Sequence, residues 1–443
     1  MRIQTPAAYA AAAPQSMVAV YAVLTLLSLL LGFVAYTAQP IVVGLGVGLL
    51  GGAMLLARPV WIIWLVFFFG LLVAGVVPIW AEGAASKAVW GISVLGFLLL
   101  LRASFHAATV PAARAQTPAF VWAALAFLLY TVLNTHFNWP TAYEALGGFK
   151  RYFQAIGLLF ALAWLPIGER DVAKWRRFLI AVALLQLPWA IYERIRLVPI
   201  REGLVYAYPG LVPIDVVAGT FGANMTSGGA NAEMATFLII VLAFLLARLR
   251  EKIFGLGRLL LLAPFVLAPL FLGETKVVVV LLPLMFLVLY RRELLARPHY
   301  ALAGLVFGAL LTTAAGYVYL EITKKPLDRL VHETLSYNVY EKGYGGYALN
   351  RTTVLTFWAS RQGLNDPAGA LLGHGLGTAH DSTGGEISRR YPGYGIGLTA
   401  ASQLLWEQGV LGMALFLSIL VFAWRAAGRV RRAPAAPPWA RAD

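Results

Sequence analysis

Residues 59–79 read PVWIIWLVFFFGLLVAGVVPI, a run of 21 residues without a charged side chain. With a rise of about 1.5 Å per residue, a helix of this length spans the hydrocarbon core of a bilayer, which is about 30 Å thick. Arg58 stands immediately before the run, where its side chain could reach the lipid headgroups. This stretch therefore predicts a transmembrane helix.

The same pattern recurs along the chain and sets the predicted fold class. Of the 443 residues, 60% are hydrophobic and only 12% are charged, which excludes a soluble multidomain enzyme. Twelve apolar runs are predicted as membrane spans, and they lie at 17–36, 40–57, 59–79, 87–101, 118–135, 152–166, 177–192, 234–247, 258–273, 277–290, 300–319 and 397–423. The first run is too long for the core of an ordinary signal peptide, so we expect it to remain as a helix. The predicted fold is all-α, a polytopic membrane protein whose residues 1–426 form a single transmembrane domain.

Basic residues are distributed unevenly between the two predicted faces. The chain carries 35 Lys and Arg against 20 Asp and Glu, which gives a net charge of +15. If the amino terminus lies in the cytoplasm, 20 of the cations and 5 of the anions fall on the cytoplasmic side, and the outer side is neutral overall. This positive-inside bias predicts that both termini are cytoplasmic. It also assigns the basic charge to topology and anionic lipid, so nucleic acid is not an expected partner.

On this topology, most of the polar sequence lies outside the membrane. Three outer segments stand out, namely 136–151, 193–233 and a large loop region at 320–396 between the last two spans. Residues 427–443 form a cytoplasmic tail, whose Pro- and Ala-rich end at 433–443 is predicted to be disordered. Long loops usually carry function, so the outer segments are the expected location of the site. The sequence contains no GxxxxGK[ST] motif, which excludes a P-loop.

Several cations stand close to the predicted outer membrane face. Lys276 lies in GETKVVVVLLPL, where it is expected either to bind a ligand or, in a structural role, to snorkel to the interface or pair with Glu274. Lys150 and Arg151 precede the sixth predicted span and serve either as interfacial anchors or as ligand-binding groups.

Two further outer segments add arginines to this set. Arg201 belongs to the Glu- and Arg-rich run at 193–202, which a solvated surface would explain equally well. Arg351 begins the stretch RTTVLTFW, which is predicted to be helical. A guanidinium group binds phosphate oxygens through two parallel hydrogen bonds, so convergence of these outer cations would form a diphosphate clamp.

The stretch LLGHGLGTAHDSTGG, residues 371–385, holds the main acid–base candidates. His374, His380 and Asp381 lie among glycines, which let the backbone approach a ligand closely. A His beside an Asp can act as a general base, although a loop His more often serves only as a hydrogen-bonding group. Their spacing matches no strong metal-ligand pattern, so the sequence predicts neither a metal nor a cofactor.

Five short motifs occur in order between residues 118 and 426. They are GTFG at 219–222 with Asn231 beyond it, ETKVVV at 274–279, ALNR at 348–351 followed by Trp358, LLGHGLG at 371–377, and SQLLWEQGVLG at 402–412. This series resembles the O-antigen polymerase and ligase superfamily, which are polytopic envelope glycosyltransferases acting on polyprenyl-diphosphate-linked sugars. Lys276 stands where members of this superfamily tend to have Arg. The ligases carry a His about nine residues before the Glu of the E-x-G element, and this position is Leu398 here, which favours a polymerase.

The resemblance implies a metal-independent glycosyltransferase at the periplasmic face of the bacterial inner membrane. Such an enzyme polymerises or transfers lipid-linked oligosaccharide repeat units in exopolysaccharide, capsule or O-antigen assembly. Because a glycosyl diphosphate already carries a good leaving group, the enzyme must neutralise the departing diphosphate and deprotonate an acceptor hydroxyl. We expect Arg201, Lys276 and Arg351 to hold the diphosphate, and Lys150 and Arg151 to guide it near the bilayer.

For the general base, we expect His380 with Asp381, followed by Glu233 and Glu407. Six outer tyrosines could stack on sugar faces or pack against their own loop, namely Tyr337, Tyr340, Tyr344, Tyr347, Tyr391 and Tyr394. The implied partners are a polyprenyl-diphosphate-linked glycan donor, a glycan or lipid-linked acceptor, the bilayer and other polysaccharide export proteins.

Three other functions stay open on the sequence alone. They are an O-antigen ligase acting on lipid A core, a transporter or flippase of lipid-linked oligosaccharides, and a structural export component. Transporters commonly show repeated halves with a site near the midplane. In this chain the halves differ and the polar residues cluster on one face, which favours an enzyme.

Overall fold

The computed structural model describes residues 51–296 and 327–442, apart from 53, 81, 155, 209, 210, 227, 276, 341, 342, 344–346 and 364, together with the isolated positions 25, 28, 29, 32, 299, 302 and 306. The regular secondary structure of these residues is entirely helical, which confirms the all-α class. Two compact units meet in sequence between Ile63 and Trp64, and the candidate site lies within the second unit.

The helices of the described residues are numbered α1 to α17 in chain order. Their bounds are α1 (Pro59–Phe68), α2 (Glu82–Thr109), α3 (Pro111–Ala115), α4 (Ala119–Asn138), α5 (Ala142–Phe153), α6 (Ile156–Trp164), α7 (Glu169–Tyr192), α8 (Val198–Glu202), α9 (Asn231–Arg250), α10 (Leu256–Leu272), α11 (Val278–Ala296), α12 (Leu327–Asn338), α13 (Thr353–Arg361), α14 (Pro367–Leu372), α15 (Glu386–Arg390), α16 (Ala400–Arg432) and α17 (Pro438–Ala442). A π-helical turn, Glu193–Leu197, joins α7 to α8.

Five helical stretches of the described residues are long and apolar enough to cross a membrane. They are Trp90–Thr109, Ala119–Asn138, Glu169–Glu202, Asn231–Arg250 and Ala400–Arg432, and the shorter apolar helices are Pro59–Val73, Leu256–Leu272 and Val280–Arg291. These eight stretches coincide with predicted spans and support the membrane-protein class. Of the other predicted spans, 152–166 contains the nine-residue helix α6, and 17–36, 40–57 and 300–319 lie largely outside the described residues. The count of twelve therefore stays a prediction.

Among the described residues, the largest apolar core joins α7, α9, α10 and α11. Helix α9 contributes Met234, Leu238 and Leu245, which are almost fully buried. These residues are spaced by four and seven positions, so they lie on one face of the helix. Helix α9 is thus buried on one side among three neighbouring helices.

Helices α2 and α6 approach each other through two glycines. A Cβ atom placed on Gly157 would lie 1.8 Å from the carbonyl oxygen of Gly96. Small residues let two helix backbones come this close, which is a common basis of helix packing in membranes. The close packing of α6 against α2 therefore requires a residue without a side chain at position 157.

Residues predicted to lie on the cytoplasmic side contact one another. The guanidinium of Arg250 in α9 lies 3.1 Å from the carboxylate of Glu293 in α11. The guanidinium carbon of Arg291 lies 5.9 Å from the ring centre of Trp424, near the end of α16. The basic ends of these helices therefore gather at the same end of the bundle.

The end of the chain differs from the disordered segment predicted for 433–443. Helix α17 places the Trp439 ring beneath the guanidinium of Arg176, at 5.5 Å. Arg441 donates to the carboxylate of Glu251 at 2.9 Å. An aromatic ring and a cation within the Pro- and Ala-rich sequence thus supply specific contacts, which composition alone did not indicate.

Replacement of Gly157 by Ala should destabilise the protein, because the new methyl group collides with the α2 backbone. We expect a cost of about 1–3 kcal/mol, as is typical of overpacking, and a lower midpoint of thermal unfolding in detergent. Gly91→Ala is the matched control, because this α2 glycine has no atom within 4 Å of a Cβ. Its helix propensity should even rise slightly. Equal unfolding midpoints for the two variants would contradict the close approach of α6 to α2 at Gly157.

Candidate functional site

The longest helix, α16, is interrupted at Gly409, where φ is 65° and ψ is −171°. This backbone conformation is accessible essentially only to glycine. A Cβ atom here would also lie 2.4 Å from the carbonyl oxygen of Leu371. The interruption divides the helix after the Glu-Gln-Gly element and leaves the preceding carbonyl groups without partners inside the helix.

The glycine-rich loop before α16 binds two of these carbonyl groups. The backbone N–H of His374 donates to the carbonyl oxygen of Trp406 at 3.0 Å. The N–H of Gly375 donates to the carbonyl oxygen of Glu407 at 2.9 Å. The loop therefore takes over hydrogen bonds that a continuous helix would have made internally.

Helix α4 binds the broken region from the other side. The side-chain amide of Asn134 donates to the carbonyl oxygen of Glu407 at 2.9 Å. The hydroxyl of Tyr130 lies within hydrogen-bonding distance of two carbonyl oxygens, those of Gln408 at 3.0 Å and Leu372 at 2.8 Å. Sequence reasoning missed both residues. The available signal was two hydrogen-bonding side chains, four positions apart, in the polar half of a predicted span.

Three alternate glycines shape the loop itself. Gly373, Gly375 and Gly377 have φ values of 79°, 89° and 77°, a region that favours glycine. A Cβ on Gly373 would lie 2.5 Å from the carbonyl oxygen of Glu407, and one on Gly377 would lie 2.0 Å from that of Glu144. The LLGHGLG sequence thus lets the loop pass between α16 and α5.

The buried carboxylate of Glu144 fixes α5 against this loop. It accepts hydrogen bonds from the backbone N–H and the hydroxyl of Thr141, at 2.7 and 2.9 Å, in a capping box at the start of α5. Its other oxygen accepts from the N–H of Glu386 at 2.8 Å, and the guanidinium of Arg389 lies 3.8 Å away. Sequence reasoning did not single out Glu144, although the Thr-x-x-Glu pattern was visible.

The Glu407 side chain is fully enclosed at the centre of the loop. Its carboxylate faces the backbone N–H groups of Gly377 and Ala379 and the hydroxyl of Tyr152. The amide of Gln403 lies 3.4 Å from the same carboxylate. A group so enclosed can orient its neighbours, but it cannot meet an acceptor hydroxyl in this conformation.

Two adjacent cations at the end of α5 lie beside this centre. The exposed Arg151 is attracted electrostatically by Glu407 and donates to the hydroxyl oxygen of Ser382 at 2.6 Å. The ammonium of Lys150 lies 5.2 Å from the ring centre of Trp90. Burial, together with the neighbouring charge of Arg151, lowers the pKa of Lys150.

His380 and Asp381 lie on the same surface. The backbone N–H of Ser382 donates to Nδ1 of His380 at 3.1 Å, so the neutral ring carries its proton on Nε2. The Asp381 carboxylate accepts from the hydroxyl of Ser388 and lies beside the Tyr347 hydroxyl. Partial burial and this carboxylate raise the pKa of Tyr347. Ser382 therefore joins the predicted cation Arg151 to the predicted acid–base pair.

His374 lies in the same glycine-rich loop but contacts a different set of side chains. Its Nε2 contacts the amide of Gln362 and lies 3.8 Å from the carboxylate of Asp366. Its ring lies 6.4 Å from that of Trp406. Burial lowers the pKa of His374 below its ordinary value.

A second buried group lies around the irregular segment between α8 and α9. Arg201 is fully buried, and its charge interacts with the carboxylate of Asp215. Glu193 is also fully buried and accepts from the backbone N–H groups of Ala218 and Gly219, at 2.9 and 2.7 Å. Arg201 is thus partly neutralised by a neighbouring carboxylate, which the sequence run at 193–202 did not indicate.

The turn between α10 and α11 adds a further ion pair. Arg194 lies 3.1 Å from Glu274, so Glu274 has a partner other than the Lys276 considered from the sequence. Lys276 itself lies outside the described residues. Glu233 is exposed in the first turn of α9.

Arg351 and the outer tyrosines complete the set of predicted site residues. The exposed Arg351 donates to the side-chain oxygen of Asn338 at 3.2 Å. Tyr394 stacks on Phe357, with ring centres 5.1 Å apart, and Tyr391 meets the same ring edge-on. These two tyrosines therefore pack within their own segment. Tyr340 is exposed, and Tyr344 and the Tyr337 side chain lie outside the described residues.

Neither a metal cluster nor a known relative identifies this site. In the part of the chain that the structure describes, no group of three His, Asp or Glu side chains is placed to hold a metal ion. Comparison of the chain with protein-family models, with curated protein sequences and with solved structures finds no match in any of the three. Function must therefore be inferred from the motifs and the geometry.

Replacement of Gly409 by Ala should destabilise the protein more than a change at another glycine of positive φ. Gly393→Ala is the control, because its φ is 76° but a Cβ there would meet open space. The stability of the control variant should fall by about 1–2 kcal/mol, because alanine disfavours a positive φ. Gly409→Ala should add an overpacking cost of about 1–3 kcal/mol. The midpoint of thermal unfolding in detergent compares the stability of the two variants. Equal decreases would contradict the close contact of Gly409 with the glycine-rich loop.

Proposed function

We propose that this protein is a glycosyltransferase that polymerises polyprenyl-diphosphate-linked oligosaccharide repeat units in exopolysaccharide, capsule or O-antigen assembly. The motif resemblance supports the proposal, and one geometric observation carries it. Ser382 contacts both Arg151 and His380, although Arg151 is 231 positions away in the chain. A cation suited to phosphate and an acid–base pair thus share one surface.

Glycosyl transfer from a diphosphate donor requires both a cation and a proton acceptor. The acceptor hydroxyl oxygen forms a bond to the anomeric carbon, and the bond from that carbon to the diphosphate breaks. The electron pair stays on the diphosphate, where the cations Arg151 and Lys150 stabilise the added negative charge. The acceptor proton passes to a carboxylate. No metal is required, because side chains supply the positive charge.

Within the acid–base pair, we assign the proton-accepting role to Asp381. His380 uses its unprotonated nitrogen to accept the N–H of Ser382, which leaves a proton donor on the other nitrogen. Asp381 is exposed, and a carboxylate has room for further hydrogen bonds besides those from Ser388 and Tyr347. Glu407 acts as a positioning residue, because its enclosed carboxylate orients Arg151 and the loop.

We further propose that the site faces the periplasm from a bacterial inner membrane and that both termini are cytoplasmic. The uneven partition of charge supports this orientation. The contacts among predicted cytoplasmic residues, such as Arg250 with Glu293 and Arg441 with Glu251, are consistent with it. The predicted outer residues Arg151, His380 and Asp381 also lie together.

Loss of the cation or the base should reduce polymer formation by the purified protein. The donor would be a lipid-linked repeat unit extracted from cells that lack this protein. We expect Arg151→Ala and Asp381→Asn each to lower the rate about a hundredfold or more, since each removes a group that acts in the transition state. Arg151→Lys should restore the rate only partly, because Lys lacks the planar fork.

Two controls separate this site from the surrounding surface. Arg361→Ala and Asp328→Asn remove an exposed cation and an exposed carboxylate elsewhere in the outer segment, and they should keep the normal rate. A normal ladder of polymer products from Arg151→Ala and from Asp381→Asn would refute the assigned roles. Addition of a lipid A core acceptor distinguishes the reactions, because a single transfer to it, without a ladder, would identify a ligase instead.

The absence of Cys allows a direct test of the proposed orientation. Ser360 and Ala435 are exposed positions on opposite proposed sides. In intact cells with a permeabilised outer membrane, a maleimide that cannot cross the inner membrane should label Ser360→Cys. It should label Ala435→Cys only after the inner membrane is opened. Labelling of both from outside, or of Ala435→Cys alone, would contradict the orientation.

A further inference from the structure

A basic pocket lies at the opposite end of α16 from the candidate site. Its volume is about 490 Å³, and its lining includes Arg291, Phe422, Trp424, Arg425, Arg429 and Arg432. Four of these six side chains are arginines, drawn from two helices. The pocket therefore combines concentrated positive charge with an apolar part.

The arrangement follows from helix periodicity. Arg425, Arg429 and Arg432 are spaced by four and three positions, which places them on one face of α16. Arg291 reaches the pocket from α11, where its guanidinium lies over the Trp424 ring at 5.9 Å. Gly428 lies between the three arginines and leaves open space where a side chain would stand. The arginines thus line a recess.

These arginines differ from other basic residues at the same end of the bundle. Arg250 and Arg441 form ion pairs with Glu293 and Glu251, at 3.1 and 2.9 Å. By contrast, among the described residues no acidic side chain pairs with any of the four pocket arginines. Four neighbouring like charges repel one another, and an anion bound between them would offset this repulsion.

We propose that this pocket binds the phosphate headgroup of an anionic phospholipid. Guanidinium groups bind phosphate oxygens through paired hydrogen bonds, and basic pockets between membrane helices suit such headgroups. Phe422 and Trp424 offer apolar contacts beside the arginines, and Trp is favoured at membrane interfaces. A volume of about 490 Å³ is within the usual range for a small-molecule site. A soluble phosphate would use the arginines but not the apolar side.

The test uses the full chain in neutral detergent and measures both lipid retention by native mass spectrometry and the midpoint of thermal unfolding. The probes are phosphatidylglycerol, phosphatidylcholine, inorganic phosphate and inorganic diphosphate. We expect phosphatidylglycerol to be retained and to raise the midpoint. Phosphatidylcholine should do neither at the same concentration. The inorganic anions should displace the lipid only at much higher concentration.

Two variants that remove the same number of positive charges test whether phosphatidylglycerol binds in the pocket. The first combines Arg425→Gln, Arg429→Gln and Arg432→Gln. The control combines changes at exposed arginines outside the pocket, namely Arg114→Gln, Arg170→Gln and Arg177→Gln. We expect at least a tenfold weaker affinity for phosphatidylglycerol in the first variant and little change in the control. Equal weakening in both would show diffuse attraction and overturn the proposal.

Single changes keep the test valid if the triple variant fails to insert. Arg429→Gln should weaken phosphatidylglycerol binding, and Arg429→Lys should recover only part of it, because Lys provides one point of contact. Full recovery by Lys, or no effect of Gln, would overturn the proposal. Displacement of the lipid by inorganic phosphate at equal concentration would identify a soluble anion site and would equally overturn the lipid assignment.

Discussion

A helix that breaks among apolar neighbours must find new partners for its carbonyl groups, because neither lipid nor a packed core supplies them. In α16 this requirement arises at Gly409, and the loop N–H groups of His374 and Gly375 meet it together with Asn134 of α4. The same hydrogen bonds hold the loop in place. The position of the candidate site therefore follows from how one broken helix satisfies its backbone.

At two places in this molecule, a buried carboxylate accepts hydrogen bonds from backbone N–H groups that have no partner in a regular helix. Glu193 accepts the N–H groups of Ala218 and Gly219, and Glu407 faces those of a glycine-rich loop. In both places, a fully buried Glu serves backbone that lies outside regular helix. A carboxylate accepts several N–H donors at once, which makes it an efficient partner for irregular backbone. For this reason, burial of a Glu in this chain is better evidence of support for a loop than of proton transfer.

The sequence predicted eight apolar helical stretches of the described residues, because a span is a local property of consecutive apolar residues. It predicted the site only in part. Arg151 and the acid–base pair were proposed separately, and their meeting at Ser382 depends on a contact across 231 positions that no local pattern contains. The burial of Arg201 beside Asp215 is likewise a tertiary effect, since the run at 193–202 looks the same whether solvated or enclosed. Glu144 was missed although its capping pattern was visible, because its contact with Glu386 is equally remote.

The two proposed anion-binding regions lie at opposite ends of α16. Arg425 lies eighteen positions after Glu407, and none of the seventeen residues between them is charged. At about 1.5 Å per residue, the uninterrupted part of the helix from Gly409 to Arg425 is roughly 24 Å long, which approaches the hydrocarbon thickness of about 30 Å. If this apolar segment spans the bilayer, as we propose, the loop lies at one headgroup layer and the arginine pocket at the other. On this proposal, an anion bound at one end would be separated from the other end by the membrane core, and the two regions would bind different ligands.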